Sequence, residues 1–87
     1  MPSQKFFYNH VTLHFKVLPS DDIDIKLLQS ELRQKIPHIR DVSIHIEKYW
    51  IITIRFQLNK FTKIGKYWQN VRSYLNKNGL KIVYEDK

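Results

Sequence analysis

Eighty-seven residues, 43% apolar and 14% aromatic, make one small domain with enough material for a core and no compositional mark of disorder. Cysteine is absent, which excludes disulfides, thiolate metal sites and cysteine nucleophiles. A net charge of +7 favours an anionic partner, while no apolar run approaches the ~20 residues that span a bilayer.

In chain order, HVTLHFKVL (10–18) alternates: Val11, Leu13, Phe15 and Val17 share one face, Thr12, His14 and Lys16 the other. That period of two predicts a strand buried on one side, stopped by Pro19 and Ser20. SDDIDIKLLQSELRQKI follows, with Ser20 or Asp21 as N-cap and Asp22 and Asp24 in the first turn. Ile25, Leu28, Leu32 and Ile36 then recur at helical spacing until Pro37 ends the helix.

The segment VSIHIEKYWIITIRFQL (42–58) holds its apolar residues at even positions and has no Gly, Pro, Asn or Asp to mark a turn. As one strand it would run ~57 Å, far beyond ordinary strand lengths, so a hairpin is expected. Parity restricts its loop. A three-residue turn, Glu47-Lys48-Tyr49, pairs Ile46 with Trp50, Ile44 with Ile52 and Val42 with Ile54, which keeps the apolar set on one face. Such a turn usually wants Gly or Asn in a left-handed position, and neither is present, so a bulged or extended arm is the alternative.

In NKFTKIGKYWQNVRSYLNKNG, the residues Phe61, Ile64, Trp68, Val71 and Leu75 lie on one helical stripe. Thr62 or Asn59 can cap this second helix, and Asn78-Gly79 supplies its stop. LKIVYEDK (80–87) gives a short last strand and a polar tail. The order strand-helix-strand-strand-helix-strand predicts an α+β fold, a ferredoxin-like βαββαβ sandwich with an antiparallel sheet of order 4-1-3-2 and both helices on one face. The expected core is Val11, Leu13, Phe15, Leu28, Leu32, Ile44, Ile52, Ile54, Ile64, Trp68, Val71 and Leu75.

The other sheet face is then open, and parity places His14, Lys16, His45, Ile51, Thr53, Arg55, Lys81 and Val83 on it. LHFKVL (13–18) and KYWIITIRF (48–56) resemble, in position, the two signature strands of the RNA-recognition motif, which shares this element order. That resemblance implies bases stacked on outward rings. The matching outward positions are His14, Ile51 and Thr53, of which His14 alone can stack. A second stretch, VLPSDDIDIKLLQSELRQKIPHIRDVSIHIE (17–47), looks like the cytosolic C-terminal domain of cation diffusion transporters in its αβ pattern, and no metal ligand is carried over from it.

Metal and catalytic chemistry find little footing. His10 and His14 stand ~13 Å apart along one strand, and His45 lies two strands from His14, ~10 Å away, so no metal site is expected. Ser43 and His45 share a face but lack a carboxylate to orient the imidazole. The cluster Asp21, Asp22 and Asp24 is accounted for by helix capping and the helix dipole. Gly65 and Gly79 are isolated and make no phosphate loop. The expectation is a non-enzyme without cofactors.

Charge is unevenly distributed. Residues 1–44 hold six Lys/Arg against five Asp/Glu, and residues 45–87 hold nine against three. From Lys48 to Tyr84 there are eight basic residues and no acidic one. Spacing puts Lys63, Lys66, Asn70, Ser73 and Lys77 on the outward side of the second helix, with Tyr67 and Tyr74 flanking. The expected function is therefore sequence-nonspecific binding of a DNA or RNA backbone, or of an acidic protein, by Lys63, Lys66, Asn70 and Lys77. Lys16 and Arg55 form a secondary site. The alternative is protein–protein interaction or homodimerisation through an edge strand or the open face: His14, His45, Ile51, Thr53 and Lys81. With no signal peptide read in MPSQKFFYNHVTLHF, a cytoplasmic location is expected, and no membrane partner.

Overall fold

A computed structural model describes residues 8–59 and 64–86 of the chain. Its elements are β1 (Tyr8–Val17), α1 (Ile25–Lys35), β2 (Ile39–Ile46), β3 (Trp50–Asn59), α2 (Ile64–Lys77) and β4 (Ile82–Asp86). The strands form one antiparallel sheet in the order β2-β3-β1-β4. Each helix carries the chain past one intervening strand, α1 from β1 to β2 across β3 and α2 from β3 to β4 across β1. Among the described residues no helix is long and apolar enough to cross a membrane.

Strand parity builds the core. Leu13, Phe15 and Val17 of β1 and Ile52, Ile54, Phe56 and Leu58 of β3 are fully buried, or nearly so, on a shared face. They pack in one cluster with Leu28 and Leu32 of α1 and Tyr67, Val71 and Leu75 of α2. Val11, Ile44, Ile64 and Trp68, expected in the core, are partly buried against it. Phe61 lies outside the described residues. Ile46, by contrast, is 61% exposed although its parity is that of the core. It ends an edge strand and, among the described residues, its cross-strand partner is Trp50 alone.

The hairpin forms in the expected register, Ile46 opposite Trp50, Ile44 opposite Ile52 and Val42 opposite Ile54. Its turn is closed by the Glu47 N–H donating to the Tyr49 carbonyl at 3.1 Å. No left-handed residue is used there: His38, at φ 70°, is the one non-glycine with positive φ among the described residues. His38 turns the chain from α1 into β2, and its carbonyl accepts from the Gln57 N–H at 3.0 Å.

Helix α1 starts later than its sequence suggests. Asp24, not Ser20 or Asp21, is the N-cap, with Oδ1 accepting from the N–H groups of Lys26 (3.0 Å) and Leu27 (3.2 Å). Ser20 Oγ instead accepts from the Asp22 N–H at 3.3 Å and shapes the preceding turn. The end of α2 follows the expected Asn78-Gly79 signal. Gly79 takes φ 85°, its N–H donates to Asn76 and the Leu80 N–H donates to Leu75, both at 3.0 Å. Those two bonds, with Leu75 and Leu80 buried together, are the Schellman closure.

Candidate functional site

The sheet face turned away from the helices is laid out in rows by the strand register. One row runs His45, Ile51, Lys16, Tyr84 across all four strands, and the next runs Ser43, Thr53, His14, Asp86. A third holds Asp41, Arg55 and Thr12. His14, His45, Ile51, Thr53, Lys16 and Arg55 therefore all belong to this face. Lys81 and Val83 are exposed, but neither has a cross-strand partner in this register. A bulge shifts the β1–β4 register between Lys16 and Val17, so Ile82 opposes Val17 while Tyr84 opposes Lys16. Lys81 precedes β4, its carbonyl accepting from the Leu18 N–H at 3.0 Å. The residue of β4 that this register sets beside Lys16 is Tyr84.

Much of the face is already paired. His14 Nδ1 and Thr53 Oγ1 lie 3.3 Å apart, within hydrogen-bond distance. His45 Nε2 stands 2.8 Å from Glu47 Oε2, and Arg55 Nε is 3.8 Å from Asp41 Oδ2. Both of these pairs are exposed and contribute little stability. Lys16 and Arg55 are not brought together: Arg55 opposes Thr12, four residues along β1 from Lys16, or ~13 Å.

Lys16 has different company. Its Nζ lies 5.6 Å from the Tyr49 ring centroid and 6.0 Å from that of Tyr84, while Lys48 Nζ lies 5.9 Å from Tyr49. Two ammonium groups and two phenol rings thus gather where the hairpin turn, β1 and β4 meet. Each distance falls within the reach of a cation–π attraction. Tyr84 is 56% exposed. Neither ring appears in the open-face set read from the sequence: Tyr84 is displaced by the bulge, and Tyr49 sits in a turn. The odd parity of Tyr49, shared with Ile51 and Thr53, was the signal that could have found it.

On α2, Lys66, Asn70, Ser73 and Lys77 are exposed, as spacing requires. Lys66 and Lys77 are eleven residues apart, three turns, so they share a stripe with ~16 Å between them. Lys63, together with Lys60 and Thr62, lies outside the described residues. Tyr67 does not flank the stripe: it is buried, packed on Phe56 (5.6 Å between centroids) and edge-on to His38 (5.5 Å). The apolar face of α2 is wide enough to include it. Arg72 is engaged elsewhere, 5.6 Å over the Trp68 ring and 3.3 Å from Glu85.

Tyr74 joins the two helices. Its hydroxyl donates to Glu31 Oε1 at 2.5 Å, and burial, reinforced by that hydrogen bond and the Glu31 charge, pushes its pKa up to about 12. Among the described residues no three His, Asp or Glu side chains come close enough to share a metal ion. Compared with known proteins, the chain matches no family model, no curated protein and no solved structure.

Proposed function

We propose that the chain is a single ferredoxin-like βαββαβ domain that binds nucleic acid through phosphate contacts, without sequence preference and without catalysis. One observation carries the reading: the run from Lys48 to Tyr84 has eight basic residues and no acidic one. The fold spreads this charge over two surfaces. Lys66, Asn70 and Lys77 stand exposed along α2, and Lys48 joins Lys16, which lies outside the run, at one end of the open sheet. Lysines held this way neutralise phosphates and release counterions, so affinity should fall steeply with salt. Their spacing along α2 suits a backbone tracked over several phosphates better than a single small anion.

A salt titration of binding to generic DNA and RNA tests the proposal. Submicromolar affinity is expected at low salt, and the doubly substituted Lys66→Glu/Lys77→Glu chain should bind far more weakly. Its salt slope on duplex DNA should be shallower by about 0.9 for each phosphate that is no longer neutralised. Affinity weaker than micromolar at low salt, or indifferent to that double substitution, overturns the reading.

A second reading, docking of a protein partner, is favoured by the free edge of β2. A polar groove runs between that edge and α1, lined by Lys26, Gln29, Ser30, Arg33, Gln34 and Val42. Gln29 Nε2 donates to the Val42 carbonyl at 3.3 Å, a bond that an added extended chain would replace. Sedimentation at two concentrations, with and without nucleic acid, separates the readings: a strictly monomeric species argues against homodimerisation.

A further inference from the structure

We infer that Tyr49, Lys16 and Tyr84 form a site for an unpaired base and its adjoining phosphate, which makes single-stranded nucleic acid the preferred ligand of the domain. The inference rests on the nucleic-acid reading above and adds the strandedness of the ligand and the place where a base is held.

Position comes first. Lys16 and Tyr84 are direct partners across β1 and β4, and Ile51 of β3 is the partner of Lys16 on its other side. Tyr49, in the turn just before β3, brings its ring to within 5.6 Å of the Lys16 ammonium group. The two phenols therefore flank one ammonium group, both within 6.0 Å of it. Tyr84 is exposed and Lys16 and Ile51 are only partly buried among the described residues, so a planar base can approach them.

Charge comes second. Two nearby carboxylates already have partners: Glu47 lies 2.8 Å from His45 and Asp41 3.8 Å from Arg55. Among the described residues, Lys16 and Lys48 have aromatic neighbours and no ion pair. Their charge is thus left for a phosphate. Exposure comes third. A phenol that is 56% exposed on an edge strand contributes little to the core, whereas its ring offers a surface on which a base can stack. Rings and lysines interleaved in this way are what a single strand requires, since its bases present a free π-face and its backbone presents charge. In a duplex the bases are already stacked on one another, and only the phosphates are left to bind.

The test uses the whole chain and three fluorescent probes: a short oligothymidylate, the matching oligouridylate and a DNA duplex with the same number of phosphates. Anisotropy is measured at one low salt concentration for the native chain, Tyr84→Leu, Tyr49→Leu, Tyr84→Phe and Lys66→Glu/Lys77→Glu. The tyrosine substitutions keep net charge unchanged, and circular dichroism establishes that each variant is folded. Tighter binding of the single strands than the duplex is expected. Tyr84→Leu should weaken single-strand binding about tenfold, Tyr84→Phe should restore it, and duplex binding should stay within about twofold. Comparable losses for oligothymidylate and oligouridylate would mean that the site reads the base and phosphate, not the sugar. If the leucine variants bind all three probes as the native chain does, the base site is overturned while phosphate binding stands. If the native chain binds none of the probes, both readings fall together.

Discussion

Tyr74 shows how one hydroxyl can link helix packing to pH. The fold holds the neutral phenol, which donates to Glu31, and the pKa rises from the ordinary 10.0 to about 12. A group whose pKa is raised on folding contributes stability that is complete below its unfolded value and lost as pH climbs through its folded one. The contribution of Tyr74 should therefore be intact up to pH 10 and disappear towards pH 12. Tyr74 should form tyrosinate late in an absorbance titration, and Tyr74→Phe should abolish that late step. Unfolding measured across the same range should fall off less in the phenylalanine variant. Nothing in the sequence announces this pair, because Glu31 and Tyr74 lie 43 residues apart and meet only when the helices pack. The N-cap is a gentler case. Ser20 and Asp21 were the expected caps, with Asp24 expected in the first turn, although all three have the chemistry for the role. The backbone chooses Asp24 because the preceding turn is closed by Ser20.

At the scale of elements, alternation carried more information than turn chemistry. The hairpin could be read because a one-residue slip would turn the apolar set of one arm, Val42 and Ile44, to water, a cost that no local preference offsets. The turn itself lacked every expected marker and formed nonetheless. Helix α2 offers a sharper experiment, through its two glycines. Gly79 holds φ 85°, and a Cβ there would meet nothing within 4 Å, so substitution costs only the left-handed strain. Gly79→Ala should destabilise by about 1 kcal/mol. Gly65 also has open space but sits at ordinary helical φ, and Gly65→Ala should stabilise by about 0.5 kcal/mol. Urea unfolding of the two variants should shift the midpoint in opposite directions. Equal shifts would mean that the cap of α2 is not the conformation described.

Across the whole molecule, one cluster of apolar residues joins the sheet to both helices. Because sheet and helices share that cluster, a single large cavity should be felt everywhere. Total stability for 87 residues is expected at about 4–13 kcal/mol, and removing the buried Phe15 ring should cost about 3–5 kcal/mol. Phe15→Ala should thus unfold the domain, or leave it close to doing so, in one cooperative transition by circular dichroism and tryptophan fluorescence alike. The sheet order was legible because the order of elements restricts it, and most of the core because it follows from periodicity, though Tyr67 was missed. The open face was legible in β1, β2 and β3, whereas Tyr84 of β4 was missed because the register shifts there. A bulge leaves no mark in a run such as LKIVYEDK, whose residues suit either face.

That bulge gives β4 a reading frame of its own. Val83 is the supernumerary residue between two partnered positions, Ile82 opposite Val17 and Tyr84 opposite Lys16. Were the ladder straightened with Val83 retained, Val83 would take the place beside Lys16. Tyr84 would turn inward against Phe15, and Glu85 would come out beside His14. Were Val83 deleted instead, the frame would close with Tyr84 still beside Lys16. The chemistry of this face is set by how many residues β4 spends reaching it, as much as by which residues they are.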